Sequence, residues 1–505
     1  MSNQIKAGAL LSYVSIFLSI IAGIIYTPWM VKQIGLSDYG LYVLVSSFLT
    51  YFIMDFGLGE AIARFVSKYK KGNQIDDINN LLGLVFKIYL AIDFVICVGL
   101  IIVYFSIPFF FKELNEIELQ KFKTIFLIAG SFSIISFPFS TLNSVFIAYE
   151  RYVFIKFCDI ISKVGTILLM AFALFCGYKL YSLVLINAVV GIFLILLKLN
   201  YLNKLSEIKI NFKFKDKKLL KQIFSFSVWV TVIGIAQRLL FNIAPTLLAS
   251  LSGTAAIAIF SIGNVIEGYV FTFASALNGL FLPKVTELSA NTSSRSAITD
   301  LMIKVGRIQL FVIGILFIGI ITLGEEFIVI WMGEKFKSSY NVVVLLILPG
   351  FITLTQSIAS TLIYVENKVR FTALMQISCS LTSVLISYLF IPKMGAMGAA
   401  IGIFTGLVIF QVIVMNIIYQ KVLKINILRF FKDSFLKMVP ALLCSLLIGF
   451  LINFFIKTNN FFVFGLKVLV LSVIYLVIMW FLALNKYEKD LLSSLMKKIL
   501  LYKIK

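Results

Sequence analysis

The chain has 505 residues, 61% of them hydrophobic and 13% charged, with a mean hydropathy of +1.03 and a net charge of +22 at pH 7. Such hydropathy lies far above that of a soluble domain, so the basic surplus reads as charge facing anionic headgroups and no nucleic-acid partner is expected. Histidine is absent, which removes imidazole metal ligands, general bases and proton relays.

A hydrocarbon core takes about 20 apolar residues as helix. Stretches of that kind run near 8–31, 40–62, 80–105, 124–148, 157–176, 180–200, 223–250, 255–282, 300–332, 341–364, 371–391, 395–420, 438–456 and 462–484. The predicted fold is therefore an all-α integral membrane protein of about fourteen transmembrane helices. Lys6 precedes a full-length first span that continues into Pro28-Trp29, so no cleavable signal is expected. Of the 45 Lys and Arg, 33 fall at the N-terminus, in the gaps after even-numbered spans or at the C-terminus, and 10 in the gaps after odd-numbered spans. Cytoplasmic loops collect Lys and Arg, which predicts a multi-pass protein with both termini cytoplasmic.

Cys97, Cys158, Cys176, Cys379 and Cys444 lie in or beside apolar spans without paired spacing, as buried free thiols would. No metal site is expected, and no cofactor. The chain has no G-x-x-x-x-G-K-[ST] nucleotide loop. The longest gap on the outer side, near 106–123, is short, whereas membrane polymerases and glycosyltransferases carry large outer loops with catalytic carboxylates. Helices joined by short turns suit a transporter and not an enzyme.

Sliding the chain by about 217 residues aligns Pro28 with Pro245, Lys87 with Lys304 and Glu150 with Glu366. This predicts two six-helix lobes in a parallel repeat, related by an axis along the membrane normal. The expected domains are 1–200, an N-terminal lobe; 201–222, a basic interfacial linker; 223–425, a C-terminal lobe; and 426–505, helices 13 and 14 with a basic cytoplasmic tail. The linker mixes Lys213, Lys215, Lys217, Lys218 and Lys221 with Phe212, Phe214, Leu219 and Leu220, as a segment in the headgroup layer does. Leu491 to Ile504 alternates similarly and reads as a second interfacial helix.

Ionisable residues inside spans normally face a cavity or a partner. Arg238 in span 7 and Glu267 in span 8 both sit about 22 Å from the cytoplasmic face at 1.5 Å per residue. They read either as a structural ion pair or as an anion anchor with its competing carboxylate. Asp55 and Lys87 share a shallower depth that permits pairing, whereas Asp93 has no evident partner. Asp159 and Lys163 are spaced i,i+4 for ordinary helix stabilisation. Arg64, Lys284 and Arg307 lie near cytoplasmic ends, where long side chains snorkel to headgroups. Taken together, Arg64, Lys87, Arg238, Lys284, Lys304 and Arg307 would make a cationic mouth that concentrates anionic cargo, above all a phosphate or diphosphate.

The segments Gly35-Leu36-Ser37-Asp38-Tyr39-Gly40-Leu41-Tyr42 and Asp55-Phe56-Gly57-Leu58-Gly59-Glu60-Ala61-Ile62-Ala63-Arg64-Phe65-Val66-Ser67-Lys68-Tyr69 resemble the opening of Wzx-like polysaccharide-export (O-antigen) flippases. That family belongs to the multidrug/oligosaccharidyl-lipid/polysaccharide exporter superfamily. The resemblance implies a bacterial inner (plasma) membrane location, a V-shaped pair of lobes and an undecaprenyl-diphosphate-linked oligosaccharide as cargo, moved from the cytoplasmic to the outer leaflet by ion-coupled alternating access. It implies membrane lipids, H⁺ or Na⁺ and the polysaccharide polymerase machinery as partners. Asp55, Glu60 and Arg64 are positions of the resembling motif. Asp55, Glu60, Asp93 and Glu267 are the candidate ion-coupling or ion-pair carboxylates. A cation-coupled multidrug extruder of the same fold and a lipid II flippase are the alternatives.

Overall fold

The structure is a computed structural model; it describes residues 3–52, 54, 56–205, 208, 210–275, 281–290, 295–458, 460–490 and 493–494, with side chains left aside at 3–15, 18, 205, 224–230, 275, 282–283 and 290. The described residues are helical almost throughout. In chain order the helices are α1 Asn3–Ile34, α2 Leu36–Leu49, α3 Leu58–Lys71 and α4 Ile75–Phe110. Then come α5 Glu116–Ala148, α6 Tyr152–Phe175, α7 Leu180–Leu205, α8 Lys217–Leu251 and α9 Thr254–Ser275. The remainder are α10 Leu282–Ala290, α11 Arg295–Met332, α12 Ser339–Val365, α13 Val369–Met394, α14 Ala396–Lys421, α15 Ile427–Phe455 and α16 Phe461–Ala483. Twelve of these are long and apolar enough, by length and composition, to cross a membrane, and Leu36–Leu49 is a shorter apolar helix; α1 and α2 stand where the other two spans are expected. The short helices α3 and α10 are the extra elements. Their sequences alternate charge with apolar residues, and Leu58, Ala61, Ile62 and Val66 form the buried face of α3.

The expected second span needs correction. Span 2 is not a continuous helix over 40–62. It stops at Leu49, passes through turns, and restarts at Leu58. The cause is local: Phe56 and Gly57 have φ of 52° and 67°, left-handed backbone that a helix does not accommodate.

Features of the two sequence halves recur 217 or 218 residues apart. Pro28 lies inside α1 and Pro245 inside α8. Left-handed residues end corresponding helices at Gly35 and Gly253, Glu150 and Asn367, and Gly177 and Gly395. A 3₁₀ turn interrupts α5 at Phe137–Ser140 and α12 at Leu354–Gln356.

Contacts divide the chain into two units, residues 1–261 with 384–399, and residues 262–383 with 400–505. The first unit takes in α8 and the start of α9. There α1 packs on α6, α2 on α5 and α8, and α3 on α5 and α8. The approach is close: a Cβ added to Gly40 of α2 would collide with the backbone carbonyl of Thr254. The 201–222 linker is docked on α4, since Asn211 N donates to Asn79 O at 3.1 Å and Asp216 caps α8 through Lys218 N and Leu219 N. In the second unit α11 packs on α15 and α16, and α10 on α12. Its core includes Met302, Leu362, Met415 and Phe430 in one cluster and Leu310, Leu442, Leu471 and Tyr475 in another.

Of the thiols, Cys158 and Cys379 are buried, Cys97 is half-buried, and Cys176 and Cys444 are exposed, so burial was expected too widely. Most of the expected interfacial helix at 491–504 lies outside the described residues.

Candidate transport site

The break in span 2 exposes backbone groups that must find partners within the protein, because a bilayer core supplies no water. Thr231 of α8 donates its hydroxyl to Phe56 O at 2.6 Å. Tyr51 donates its phenol to the carbonyl of Arg238 at 3.4 Å. The broken segment and α8 are thereby tied together, and Arg238 is positioned by its own backbone. Its side chain is half-buried in the first unit. Glu267, half-buried on α9, belongs to the second unit. Asp55 lies outside the described residues, and its expected pairing with Lys87 with it. Just beyond the break, Glu60 and Arg64 are exposed and stand four residues apart on α3.

Lys87 donates to Phe214 O at 2.8 Å, so its ammonium anchors the linker on α4. Asp93, one and a half turns further along α4, is 8% exposed, and one of its carboxylate oxygens is buried with no hydrogen-bond partner among the described residues. The expected Asp159–Lys163 contact is replaced: Asp159 pairs with Lys156 at 3.1 Å, and Lys163 reaches Ser19 on α1. The i,i+3 partner wins because Lys163 is drawn toward the packed α1–α6 surface.

In the second unit Lys284 is exposed and pairs with Glu287 one turn away at 2.9 Å. Lys304 is exposed above the Tyr487 ring, with its ammonium 5.5 Å from the ring centre. Arg307 is 5% exposed and fully engaged. Its guanidinium grips Glu488 through 2.5 and 2.9 Å bonds and donates to the carbonyls of Ala483 at 2.6 Å and Asp433 at 3.1 Å. Of the six expected cations, Lys304 and Arg307 line one cavity, of about 740 Å³, together with Arg429 and Lys437.

Sequence reasoning missed two polar clusters. At the turns after α1, α4 and α8, Glu118 accepts from Ser37 at 2.5 Å and from Thr254 at 2.8 Å, while Lys121 pairs with Asp38 at 2.6 Å. Asn115 and Glu118 also close a reciprocal cap on α5, a signal the sequence does carry as N-E-I-E. In the second unit Lys467 is fully buried and donates to both oxygens of Glu326, at 3.0 and 2.8 Å, and to Asn453 at 3.0 Å. Its position in a strongly apolar helix was the available signal.

The described helices make a helical membrane protein with paired half-repeats, prolines inside α1 and α8, and a trailing helix pair. Among solved structures the chain resembles the lipid II flippase MurJ in an inward closed conformation, with TM-score 0.72 and 16% identity over 96% of this chain and 99% of that one. It also resembles an inward-facing MATE family multidrug resistance transporter (TM-score 0.61, 13% identity, 80% and 96% covered) and the eukaryotic MATE transporter AtDTX14 (0.56, 16%, 85% and 95%). No curated protein sequence matches significantly. Residues 5–283 match the family described as polysaccharide biosynthesis protein, and the chain belongs to that family.

Proposed function

We propose that the protein is a flippase that moves an undecaprenyl-diphosphate-linked oligosaccharide from the cytoplasmic to the outer leaflet by ion-coupled alternating access. The observation that carries this reading is the polysaccharide biosynthesis family match over 5–283, joined to a fold shared with a lipid II flippase over 96% of the chain. Both point to a lipid-linked saccharide as cargo, and the reading makes the protein a carrier and not an enzyme.

In this mechanism Arg64 and Arg238 meet the cargo's diphosphate, the latter with a guanidinium able to grip two phosphate oxygens at once. Exposed Lys284 adds attraction at the mouth. Lys87 and Arg307 hold structural bonds of their own, and Lys304 lies with Arg307 in a cavity within the second unit. An ion can drive the cycle only by binding one conformation better than another. Asp93, with its unpartnered buried oxygen, favours H⁺ or Na⁺ binding more than exposed Glu60 does; Glu267 and Asp55 complete the candidates. Complementation tests the reading: expression should restore surface glycan in a bacterium lacking its own O-antigen flippase. A strain that regains no glycan but resists cationic drugs would favour the extruder instead, the reading that the MATE likeness supports.

A further inference from the structure

The cavity in the second unit has a construction that saccharide transport does not use. Two π-helical stretches, Phe431–Leu436 of α15 and Met479–Ala483 of α16, wall it. A π turn widens the helix and displaces its carbonyls, and such turns concentrate at functional sites. Here Arg307 caps the Ala483 and Asp433 carbonyls while neutralised by Glu488. It thereby links the two π-helical stretches.

With that pair cancelled, the lining carries three cations against two carboxylates. Arg429 bridges Asp300 at 2.6 Å and Asp433 at 3.6 Å, and Lys437 pairs with Asp433 at 2.7 Å. Lys304 has no carboxylate partner among the described residues; it rests on Tyr487. Lys432, Lys486 and Lys489 follow within a few residues of the lining and add to the positive field. Beside these exposed cations, Leu436 and Leu482 are 66% and 61% exposed. The cavity sits at the start of α11 and α15 and the end of α16, one end of the helix group, which the basic-residue count assigns to the cytoplasmic headgroup layer. A pocket within the usual range for bound small molecules, with accessible cations beside accessible apolar side chains, fits one class of amphiphile at that depth.

We propose that this cavity binds the phosphate of an anionic phospholipid of the cytoplasmic leaflet, with Lys304 and Lys437 as its contacts and the acyl chains lying along Leu436 and Leu482. The bound lipid joins α11, α15 and α16, and so stabilises the second unit. The site is independent of the cargo reading, because it concerns a resident lipid and not a transported one.

The test uses the purified full chain in neutral detergent, with thermal midpoint and lipid retention in native mass spectrometry as readouts. Phosphatidylglycerol should raise the midpoint and phosphatidylcholine should not. Lys304→Gln, which breaks no ion pair, should weaken the apparent phosphatidylglycerol affinity about tenfold, as loss of one charge-assisted contact does. Lys304→Gln/Lys437→Gln should abolish the response, and Lys457→Gln at the opposite end of α15 should keep it. An undiminished response in Lys304→Gln, equal shifts from the two lipids, or a full shift from inorganic phosphate alone would each overturn the proposal.

Discussion

Lys467 shows how a single buried charge is made tolerable in a membrane helix. All three ammonium donors find oxygen, two on Glu326 and one on Asn453, and Thr458 donates to Glu326 at 2.6 Å. Removing one partner of such a pair strands the other, at about 3–5 kcal/mol. Lys467→Met should therefore lower the thermal midpoint of the purified protein sharply, and Lys467→Met/Glu326→Leu should recover most of the loss. Glu366, in the turn between α12 and α13, makes a pH-dependent counterpart. Burial alone pushes its carboxyl up, but bonds and charge from Arg295 (2.5 Å) and Lys368 (2.9 Å) together hold it below the ordinary carboxylate value. A lowered carboxyl stabilises the fold above the unfolded-state value and loses that contribution as pH falls through the folded value. Thermal midpoints followed from neutral to acid pH should drop for the native chain; Glu366→Gln should start lower and drop less.

At the scale of elements, the broken second span is the structure's main departure from a bundle of plain helices. Thr231 holds the break by taking the Phe56 carbonyl. Thr231→Val preserves shape but leaves that carbonyl unpaired, at about 1–3 kcal/mol; Thr231→Ser should retain the bond. Loss of transport in the valine variant with retention in the serine variant is the expected result. A second element-level contact is the approach of α2 to the start of α9. Because a Cβ at Gly40 meets backbone, which cannot swing aside, Gly40→Val should abolish transport while Ser37→Ala only weakens it, judged by glycan display at equal protein abundance. The apolar runs made the spans legible, and their near-217 offset made the repeat legible. The break was not, because Asp55-Phe56-Gly57-Leu58-Gly59 is short, apolar on average and flanked by helix formers. The π-helical stretches were invisible as well: Phe431–Leu436 and Met479–Ala483 have no proline or glycine to mark them, and the Arg307 bonds to their carbonyls join residues far apart in sequence.

For the whole molecule, composition and loop charge carry the class and the expected orientation in the amino-acid sequence itself. Which charges meet which was not readable there, since depth along a helix does not fix the direction a side chain faces. Thus Lys87 reaches a linker carbonyl and Arg307 a C-terminal glutamate that lies 181 residues away in sequence. The orientation is checked by single cysteines in a Cys-free variant: positions 113–118 should react with an impermeant maleimide from outside, and Lys213→Cys should not. Labelling in the reverse pattern would invert the topology. The roles of Arg238 and Glu267 are checked by activity. Arg238→Ala and Glu267→Ala should each damage transport more than abundance, and Arg238→Lys, which keeps charge without the bidentate fork, should be partly active. The central claim is that a lipid-linked oligosaccharide crosses the bilayer through this protein under an ion gradient. Reconstitution in liposomes tests it most directly, with accessibility of the glycan at the opposite leaflet as the readout. The expected result is protein-dependent appearance of the glycan, faster under an imposed H⁺ or Na⁺ gradient and insensitive to that gradient in Asp93→Asn or Glu267→Gln. No crossing under any gradient, with export of a cationic dye from the same liposomes, would contradict it.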